Sequence, residues 1–557
     1  MRKGLQLSYF WKKIIGLKRS LLIVFLLSLL LQLFILVAPY YLQLVVDDVI
    51  LTNDVDLLVV LAAGFFLVLL FEVGSNVLRG LTLLHLSSQL SVQLGANLFH
   101  HLVRLPLTYF EKRHIGDIVS RFGSLQQVKQ ILTTGVIEAV IDGLMGIITL
   151  GMIFFYSPML SFIVLITVFL YASIRFALYR SFRAINEQEI TAKAEESSNF
   201  METVRGIQTI KLFSSESKRE GLWQNLFAKT TNYSIRVGHF QIGYENANRL
   251  LFGIENILVV FFAACLVIDG GFSTGMLFAF MAYKRQFVEK TCALVEKLIE
   301  FKMVGLHFER IADIAHAEKE SFGSGRGLSV TQLLEGRIRL EGVCYQYSDS
   351  TPNVINDLNL TIDKGEFVAI VGPSGSGKST LLKIILGLVP AQKGQVLVDD
   401  VPLDSFGIHE YRQQIAAVTQ NDELLSGSVA ENIAFFETPL DIEKVVRSAQ
   451  LACIHDDISK MPMGYDSLIG DMGSSLSGGQ KQRIILARAL YVKPKILFMD
   501  EATSHLDEPL EERINCAISS LDITRVTIAH RQKTIDSADR VINLEHLQCD
   551  ETEKKNL

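Results

Sequence analysis

One glycine-rich segment carries the strongest structural signal in the sequence: Gly372-Pro373-Ser374-Gly375-Ser376-Gly377-Lys378-Ser379-Thr380. It follows the apolar run 367–371 and precedes the helix-like run 381–387. A strand, a glycine-rich turn and a helix start form the context in which the G-x-x-x-x-G-K-[ST] pattern binds phosphates. Glycines let backbone N–H groups converge on phosphate oxygens, and the helix N-terminus adds its dipole. We therefore expect Lys378 to reach the β- and γ-phosphates of ATP and the Ser379 hydroxyl to ligate Mg²⁺; a chance match in an ordinary turn is the alternative.

Two carboxylates end an apolar run further along the chain. The run 496–499 has a buried-strand signature and leads directly into Asp500 and Glu501. Asp500 would hold Mg²⁺ through its water shell, and Glu501 would be the catalytic general base that polarises the attacking water. The alternative is a strand that ends in solvated acids.

A second anion-binding segment lies between these motifs: Leu476-Ser477-Gly478-Gly479-Gln480, followed by a helix-like run. The Ser477 hydroxyl and the Gly478 and Gly479 amides at a helix N-terminus would hold phosphate. One domain has no use for two such sites on one nucleotide, so we expect two copies to pair head to tail around each ATP. His530, after the strand-like run 526–528, would then contact the γ-phosphate, although an isolated histidine is more often structural.

Short β-rich runs alternate with helical runs around these motifs. They cover residues 338–343, 358–362, 367–371, 396–398, 415–418, 496–499 and 526–528. This alternation predicts an α/β P-loop NTPase domain.

Composition divides the chain into two parts. Of its 557 residues, 49% are hydrophobic, the mean hydropathy is +0.31, and the apolar residues are concentrated before about residue 300. We therefore expect a membrane half followed by a soluble half. A net charge of −6 argues against nucleic acid as a partner, and the six cysteines form no C-x-x-C pair, so neither a zinc site nor a disulfide framework is expected.

Hydropathy predicts a polytopic α-helical membrane domain with six transmembrane helices, at about 21–46, 57–83, 133–156, 160–179, 250–268 and 275–298. Basic residues precede the first span, whereas the loop after it is acidic, so the N-terminus should be cytoplasmic. Long charged stretches at about 87–132 and 180–246 are then cytoplasmic too. The predicted domains are a membrane domain at 1–315, a linker at 316–336 and a nucleotide-binding domain at 337–557.

Ionisable residues inside predicted spans are functional candidates by default: Glu72, Arg79, Glu255, Glu289 and Glu296. The alternative is that they lie near helix ends and extend toward water. For Glu72 and Glu255 neither interpretation is favoured.

The order and spacing of the motifs over residues 337–545 resemble those of ABC (ATP-binding cassette) proteins. The resemblance implies ATP and Mg²⁺ as cofactors, Tyr347 as the ring that stacks on adenine, and His530 as the switch histidine. It also implies that Gln420 senses Mg²⁺ and contacts the membrane domain. By the same resemblance, the D-loop corresponds to Ser504-His505-Leu506-Asp507, with histidine where alanine is usual. The segment that contacts the cytoplasmic loops corresponds to Gly470-Asp471-Met472-Gly473, which lacks the usual acidic pattern.

Six spans ahead of one cassette resemble the half-exporter layout, which implies a homodimer in the bacterial inner membrane with the cassettes in the cytoplasm. Residues 116–121 and 202–207 resemble its two coupling helices. Residues 105–122, 463–473 and 500–507 resemble exporters of bacteriocins of the colicin V kind. That resemblance implies a peptide or small-protein cargo and, in a Gram-negative cell, a periplasmic adaptor and an outer-membrane channel.

Exporters of this kind commonly carry an N-terminal cysteine peptidase that cuts a double-glycine leader. About 20 residues precede the first span and contain no Cys/His pair, so we expect the peptidase to be absent or the chain to be truncated. Two alternatives stay open. One is an exporter of lipids or hydrophobic drugs, and the other is a membrane-anchored ATPase that regulates without moving cargo, which the coupling-helix resemblances disfavour.

Overall fold

The computed structural model describes residues 17–320, 333–348, 351–470, 476–500 and 507–545. Apart from residues 106–108, the chain divides between Lys319 and Glu320 into two compact units.

Residues 17–320 form helices. Their bounds, with two π-helical segments at Val45–Val49 and Ile131–Gly135, are α1 Leu17–Leu44, α2 Ile50–Thr52, α3 Val55–Leu102, α4 Leu107–Glu111, α5 Ile115–Gly123, α6 Leu125–Gln130, α7 Val136–Tyr156, α8 Pro158–Arg205, α9 Ile207–Leu212, α10 Glu216–Ile268 and α11 Thr274–Ala315.

Five stretches of helix in the described chain are long and apolar enough to cross a membrane: Arg19–Thr52, Val55–Leu102, Val136–Tyr156, Pro158–Arg205 and Glu216–Ile268. They contain four of the first five predicted spans and all but residues 133–135 of the third one, so the chain is a multi-pass membrane protein. The sixth predicted span lies in α11, which has 42 residues but is interrupted by charged side chains. By length and composition, α11 is not among the helices that are long and apolar enough to cross a membrane. Its membrane crossing stays a prediction.

The charges of α11 are paired with neighbouring helices. Lys284 is buried and donates 2.9 Å hydrogen bonds to Glu255 and Asn256 of α10. Lys290 contacts Asp142 of α7 at 3.0 Å. Because a buried charge is costly unless it is paired, these contacts let a polar helix pack inside the bundle. Glu255 therefore lies in a buried ion pair and does not extend toward water.

The two long charged stretches are largely helical continuations of the spans. Helix α3 runs on to Leu102, and its leucines at positions 86, 90, 94 and 98 are buried at four-residue spacing, as one face of a helix requires. The first predicted coupling segment, 116–121, lies within α5. The second, 202–207, is not one helix: residues 202–205 end α8, and Ile207 begins α9 after Gly206.

Residues 333–545 contain two main sheets. The strands are β1 Ile338–Tyr345, β2 Ile355–Ile362, β3 Phe367–Val371, β4 Lys393–Val398, β5 Val401–Pro402, β6 Ile415–Val418, β7 Gly427–Ser428, β8 Leu468–Ile469, β9 Ile496–Asp500, β10 Thr524–Ile528 and β11 Arg540–Asn543. One sheet is antiparallel with the order β2-β1-β4-β5, and the other is parallel with the order β11-β3-β10-β9-β6. All seven strands predicted from the sequence are present, whereas β11 and the two-residue strands were missed.

The helices of this unit are α12 Lys378–Ile385, α13 Leu403–Phe406, α14 Ile408–Arg412, α15 Val429–Ile433, α16 Ile442–Leu451, α17 His455–Ser459, α18 Gly478–Tyr491, α19 Glu508–Ser519 and α20 Gln532–Asp536. Apolar side chains of α12 and the two sheets share one buried cluster, and those of α18 share another with β9. Because β3, β10, β9 and β6 are parallel neighbours, their carboxyl ends lie side by side. This is the edge at which parallel α/β sheets bind ligands.

Candidate functional site

The glycine-rich segment leaves the carboxyl end of β3, which is buried, and enters α12. Gly375 and Gly377 have φ values of +84° and +93°. An added Cβ atom at Gly377 would lie 3.0 Å from the carbonyl oxygen of Val354. Because a side chain there would meet both backbone strain and a clash, the turn requires glycine.

Lys378, the first residue of α12, points back into the loop. Its Nζ atom donates 2.8 Å hydrogen bonds to the carbonyl oxygens of Gly372 and Pro373. The side chain is only 7% exposed. An ammonium group has three N–H donors, so these bonds leave one donor for a phosphate oxygen.

A cavity of about 450 Å³ opens in front of the loop. Loop residues line it together with residues from other strand ends: Tyr347, Val354, Ser374, Gly375, Gly377, Lys378, Ser379, Thr380, Gln420, Asp500, Ile528 and His530. Its volume is within the range of about 300–1,000 Å³ that is usual for small-molecule sites. Three predicted residues, Gly372, Pro373 and Ser376, belong to the same loop but do not line the cavity.

Tyr347 lies at this cavity with its ring half-exposed. Its hydroxyl group is 2.8 Å from the Thr380 hydroxyl on α12, and its ring packs edge-on against Tyr345 at 5.3 Å between centroids. The ring is thus anchored at its hydroxyl end and forms part of the cavity wall, and its stacking on adenine stays a prediction.

Three predicted polar residues reach the cavity from neighbouring strands. Asp500 ends β9, is nearly buried, and lies in register with Ile528 of β10. His530 follows β10 by two residues. Gln420 follows β6, in a turn where Asp422 accepts hydrogen bonds from the Thr419 N–H and hydroxyl groups at 2.8 and 2.7 Å.

The oxygen-bearing residues at the cavity fit a magnesium ion that arrives with a nucleotide. Ser379, Gln420 and Asp500 supply a hydroxyl, an amide and a carboxylate oxygen to one cavity, and Mg²⁺ prefers such hard donors. With one carboxylate among these three residues, phosphates and water would supply the remaining ligands of the ion. Within the described ranges no cluster of three or more His, Cys, Asp or Glu could hold a metal by itself.

A buried carboxylate that sequence reasoning missed supports the His530 segment. Glu511 of α19 accepts hydrogen bonds from Arg531 at 2.7 Å and from the Thr534 hydroxyl at 2.6 Å. It is 4% exposed and shares the buried face of α19 with Ile514 and Ile518. The spacing of Glu511 from the two isoleucines, which puts all three on one face of the helix, could have indicated from the sequence that this acid is buried.

A second network joins α18 to the segment after Gln420. Arg488 of α18 donates to the carbonyl oxygen of Asn432 at 2.9 Å and to that of Glu423 at 3.2 Å. Asn432 is fully buried and exchanges hydrogen bonds with the backbone of Leu425. Burial lowers the pKa of the Arg488 guanidinium, and the nearby Asp422 opposes this shift.

Ser477, Gly478, Gly479 and Gln480 form the start of α18 and do not line the cavity. The Ser477 hydroxyl accepts a hydrogen bond from the Gln480 N–H at 3.2 Å, and the Gln480 side chain accepts one from the Ser477 N–H at 3.0 Å. This capping box explains why the helix begins here. A single chain does not bring these residues to its own phosphate loop.

Several predicted residues lie outside the described ones: Glu501, Ser504, His505, Leu506, Asp471, Met472 and Gly473. The catalytic role of Glu501 therefore stays a prediction. Asp507, the last residue of the predicted D-loop, is the N-cap residue of α19.

Comparison with known families gives two matches along the chain. Residues 21–290 match the ABC transporter transmembrane region, and residues 355–504 match the ABC transporter family. Together they include most of the helical unit and the loop, Gln420 and Asp500.

Curated relatives match over nearly the whole chain. A probable microcin secretion/processing ATP-binding protein and the colicin V secretion/processing ATP-binding protein, both of Escherichia coli, are each 40% identical over 95% of this chain and 76% of their own length. An alpha-hemolysin translocation ATP-binding protein of Proteus vulgaris is 33% identical over 98% of this chain and 77% of its own.

Among solved structures, a bacterial Atm1-family ABC exporter with ATP bound has a similar fold. The TM-score is 0.85, with 21% sequence identity over 95% of this chain and 94% of that one. At this identity the likeness establishes the fold.

Proposed function

Because the chain belongs to the ABC transporter family, as an ATPase coupled to transport across a membrane, we propose that it exports peptides or small proteins of the bacteriocin and toxin kind. The membrane would be the bacterial inner membrane, with the nucleotide-binding unit in the cytoplasm. The observation that supports the ATP step best is the single cavity that gathers Lys378, Ser379, Gln420, Asp500 and His530.

In this proposal the loop amides and the free donor of Lys378 bind the β- and γ-phosphates. Ser379, Asp500 and Gln420 would hold Mg²⁺, which when bound would neutralise phosphate charge. Glu501 orients and polarises the attacking water, and His530 contacts the γ-phosphate.

We further propose that two copies act together. In one chain the Ser477 helix start does not reach the cavity, so a second chain would supply it to each ATP. The N–H groups and dipole of that helix end suit the γ-phosphate. Binding of ATP would then draw the two cassettes together, and hydrolysis would release them.

The cargo class rests on the relatives, which are secretion or translocation proteins for a microcin, colicin V and alpha-hemolysin. A peptide or small protein is therefore favoured over a lipid or a drug. A periplasmic adaptor and an outer-membrane channel complete the proposed pathway in a Gram-negative cell.

Transport in inside-out vesicles tests this function. We expect ATP-driven uptake of a labelled peptide with a double-glycine leader, or of its mature form, but not of a lipophilic dye. Glu501→Gln is the matched control, because it should keep ATP binding while losing most turnover.

Dye uptake without peptide uptake would favour the lipid or drug exporter. ATP hydrolysis without uptake of any probe would contradict export. Near-normal hydrolysis by Glu501→Gln would remove its role as base, and unchanged ATP affinity in Lys378→Ala would contradict phosphate binding by the loop.

A further inference from the structure

A second cavity, of about 500 Å³, lies within the helical unit. Helices α8, α10 and α11 each contribute to its wall through residues 175–186, 240–245 and 296–307. These residues are at the predicted cytoplasmic ends of the fourth, fifth and sixth spans. The cavity therefore lies where an exported molecule would enter, and it shares no residue with the ATP site.

Carboxylates predominate among the charges of this cavity. Glu245, Glu296 and Glu300 line it, against the single guanidinium of Arg175. Glu300 is bound by Lys297 at 3.1 Å. The ion pairs of the described chain include neither Glu245 nor Glu296, so both carboxylates can pair with a cationic ligand.

Aromatic rings form much of the remaining wall. The rings of Phe182 and Phe240 pack together with 6.3 Å between centroids. The Arg175 guanidinium lies 4.0 Å from the centre of the Tyr244 ring and makes no ion pair with a described residue. The cavity thus already holds one cation on an aromatic face, the arrangement by which rings attract cationic groups.

One polar atom at this cavity has no hydrogen-bond partner among the described residues: Nδ1 of His307. A buried polar atom without a partner is unfavourable, so this atom favours a polar occupant. Burial and the nearby Arg310 lower the pKa of His307, which keeps this histidine uncharged near neutral pH.

We propose that this cavity binds a basic side chain of the exported peptide, with Glu245 and Glu296 pairing with its cationic group and Phe182 and Phe240 packing along its aliphatic stem. Long basic side chains combine an apolar stem with a charged end, which matches a wall of rings and carboxylates. The inference rests on the proposed export of peptides.

A pair of synthetic probes separates the charge of the side chain from its shape. One is a double-glycine-leader peptide with a single lysine, and the other carries norleucine, which keeps the stem and lacks the amine. In reconstituted vesicles we would measure the peptide concentration that gives half-maximal stimulation of ATP hydrolysis. The wild type should respond to the lysine peptide at a concentration about tenfold lower, the ratio expected for one charge-assisted hydrogen bond.

The double variant Glu245→Gln with Glu296→Gln should lose this preference. Glu289→Gln is the matched control, because Glu289 is an exposed carboxylate of α11, the helix that carries Glu296. It is bound by Arg285 at 2.9 Å and lies outside the cavity. The control should keep the preference. Glu296→Lys should instead favour a peptide with glutamate at the probe position, a reversal that a folding defect cannot produce.

An equal response of the wild type to both peptides would overturn the cavity proposal and leave peptide export standing. The same conclusion would follow if the double variant kept the tenfold preference, or if Glu296→Lys showed no reversal. A wild type that neither responds to nor takes up either peptide would instead overturn the export function itself.

Discussion

At the level of single side chains, the candidate ATP site depends on residues that do not line it. Glu511 binds Arg531 and Thr534, so the backbone that carries His530 is held by a carboxylate on α19. Arg488 of α18 and Asn432 of α15 likewise hold the segment after Gln420 through the carbonyl oxygens of Glu423 and Leu425. A buried polar layer behind the strand ends thus holds the segments that carry His530 and Gln420.

Replacement of Glu511 by glutamine tests this support. The change keeps the size of the side chain and removes the charge that binds Arg531, a loss of about 1.5–3 kcal/mol for a charge-assisted bond. We expect kcat for ATP hydrolysis to fall roughly tenfold while ATP affinity stays nearly unchanged, because the phosphate loop is untouched. Steady-state hydrolysis and nucleotide-binding titrations measure the two quantities.

Glu512→Gln is the control for this prediction. Glu512 is exposed, and its ion pair among the described residues is with the exposed Lys533, at 3.3 Å, so its loss should change kcat little. Equal effects of the two substitutions on kcat would show that Glu511 does not position His530.

At the level of secondary-structure elements, helix α11 is charged in sequence but packs among the apolar helices of the bundle. Its charges are too many for an apolar span, yet Lys284, Lys290 and Lys297 each face a carboxylate of a neighbouring helix. Its N-terminus is bound by Asp47, which accepts hydrogen bonds from the Ser273 hydroxyl at 2.5 Å and from the Gly275 N–H at 2.8 Å. A carboxylate at a helix N-terminus is stabilised by the helix dipole.

Gly275→Ala should destabilise the helical unit. An added Cβ atom would lie 2.5 Å from the carboxylate carbon of Asp47, and overpacking of this kind costs about 1–3 kcal/mol. We expect the helical unit of this variant to unfold at a lower midpoint temperature in detergent. The measurement follows a signal that reports on the helical unit.

Gly305→Ala, on the same helix, is the matched control. No atom lies within 4 Å of the added Cβ position there, and alanine favours helix over glycine by about 1 kcal/mol. The control should unfold at the same or a higher temperature. If both variants unfolded at the same temperature, the close approach of Asp47 to α11 would be contradicted.

At the level of the whole molecule, the Ser477 helix start lies outside the cavity proposed to bind ATP. The cavity is lined by the phosphate loop, Gln420, Asp500 and His530, but not by Ser477 or the two following glycines. The Ser477 hydroxyl is occupied with capping α18. On the proposed head-to-tail arrangement, a second copy would complete the site.

Mixed dimers test this requirement. Lys378→Ala removes the phosphate ligand of the loop. Ser477→Asp keeps an N-cap residue on α18 but places a negative charge where the partner's phosphate would bind. Each variant alone should lose most ATP hydrolysis, whereas a dimer with one copy of each retains one unaltered site and should recover up to about half of the wild-type rate if its two sites hydrolyse independently.

Two affinity tags, purified in sequence, isolate the mixed dimer for the hydrolysis measurement. The control is a dimer in which both chains carry Lys378→Ala and only the two tags differ. It should stay inactive. Absence of recovery in the true mixture would contradict the head-to-tail arrangement.

The sequence by itself determined the elements whose signals are local. The phosphate loop, the seven main strands and the first five spans follow from glycine spacing and hydrophobic runs, since neighbouring residues dictate backbone geometry and transfer into lipid. Motif spacing, together with the resemblance to ABC proteins, also predicted that Lys378, Asp500, Gln420 and His530 serve one nucleotide, and the four residues line one cavity. Tertiary structure alone decided what depends on distant partners. Glu511 is buried because Arg531 and Thr534 bind it, α11 tolerates its charges because α7 and α10 supply carboxylates, and the second cavity forms only where three helices meet. Such pairings join residues far apart in sequence, and no local pattern encodes them.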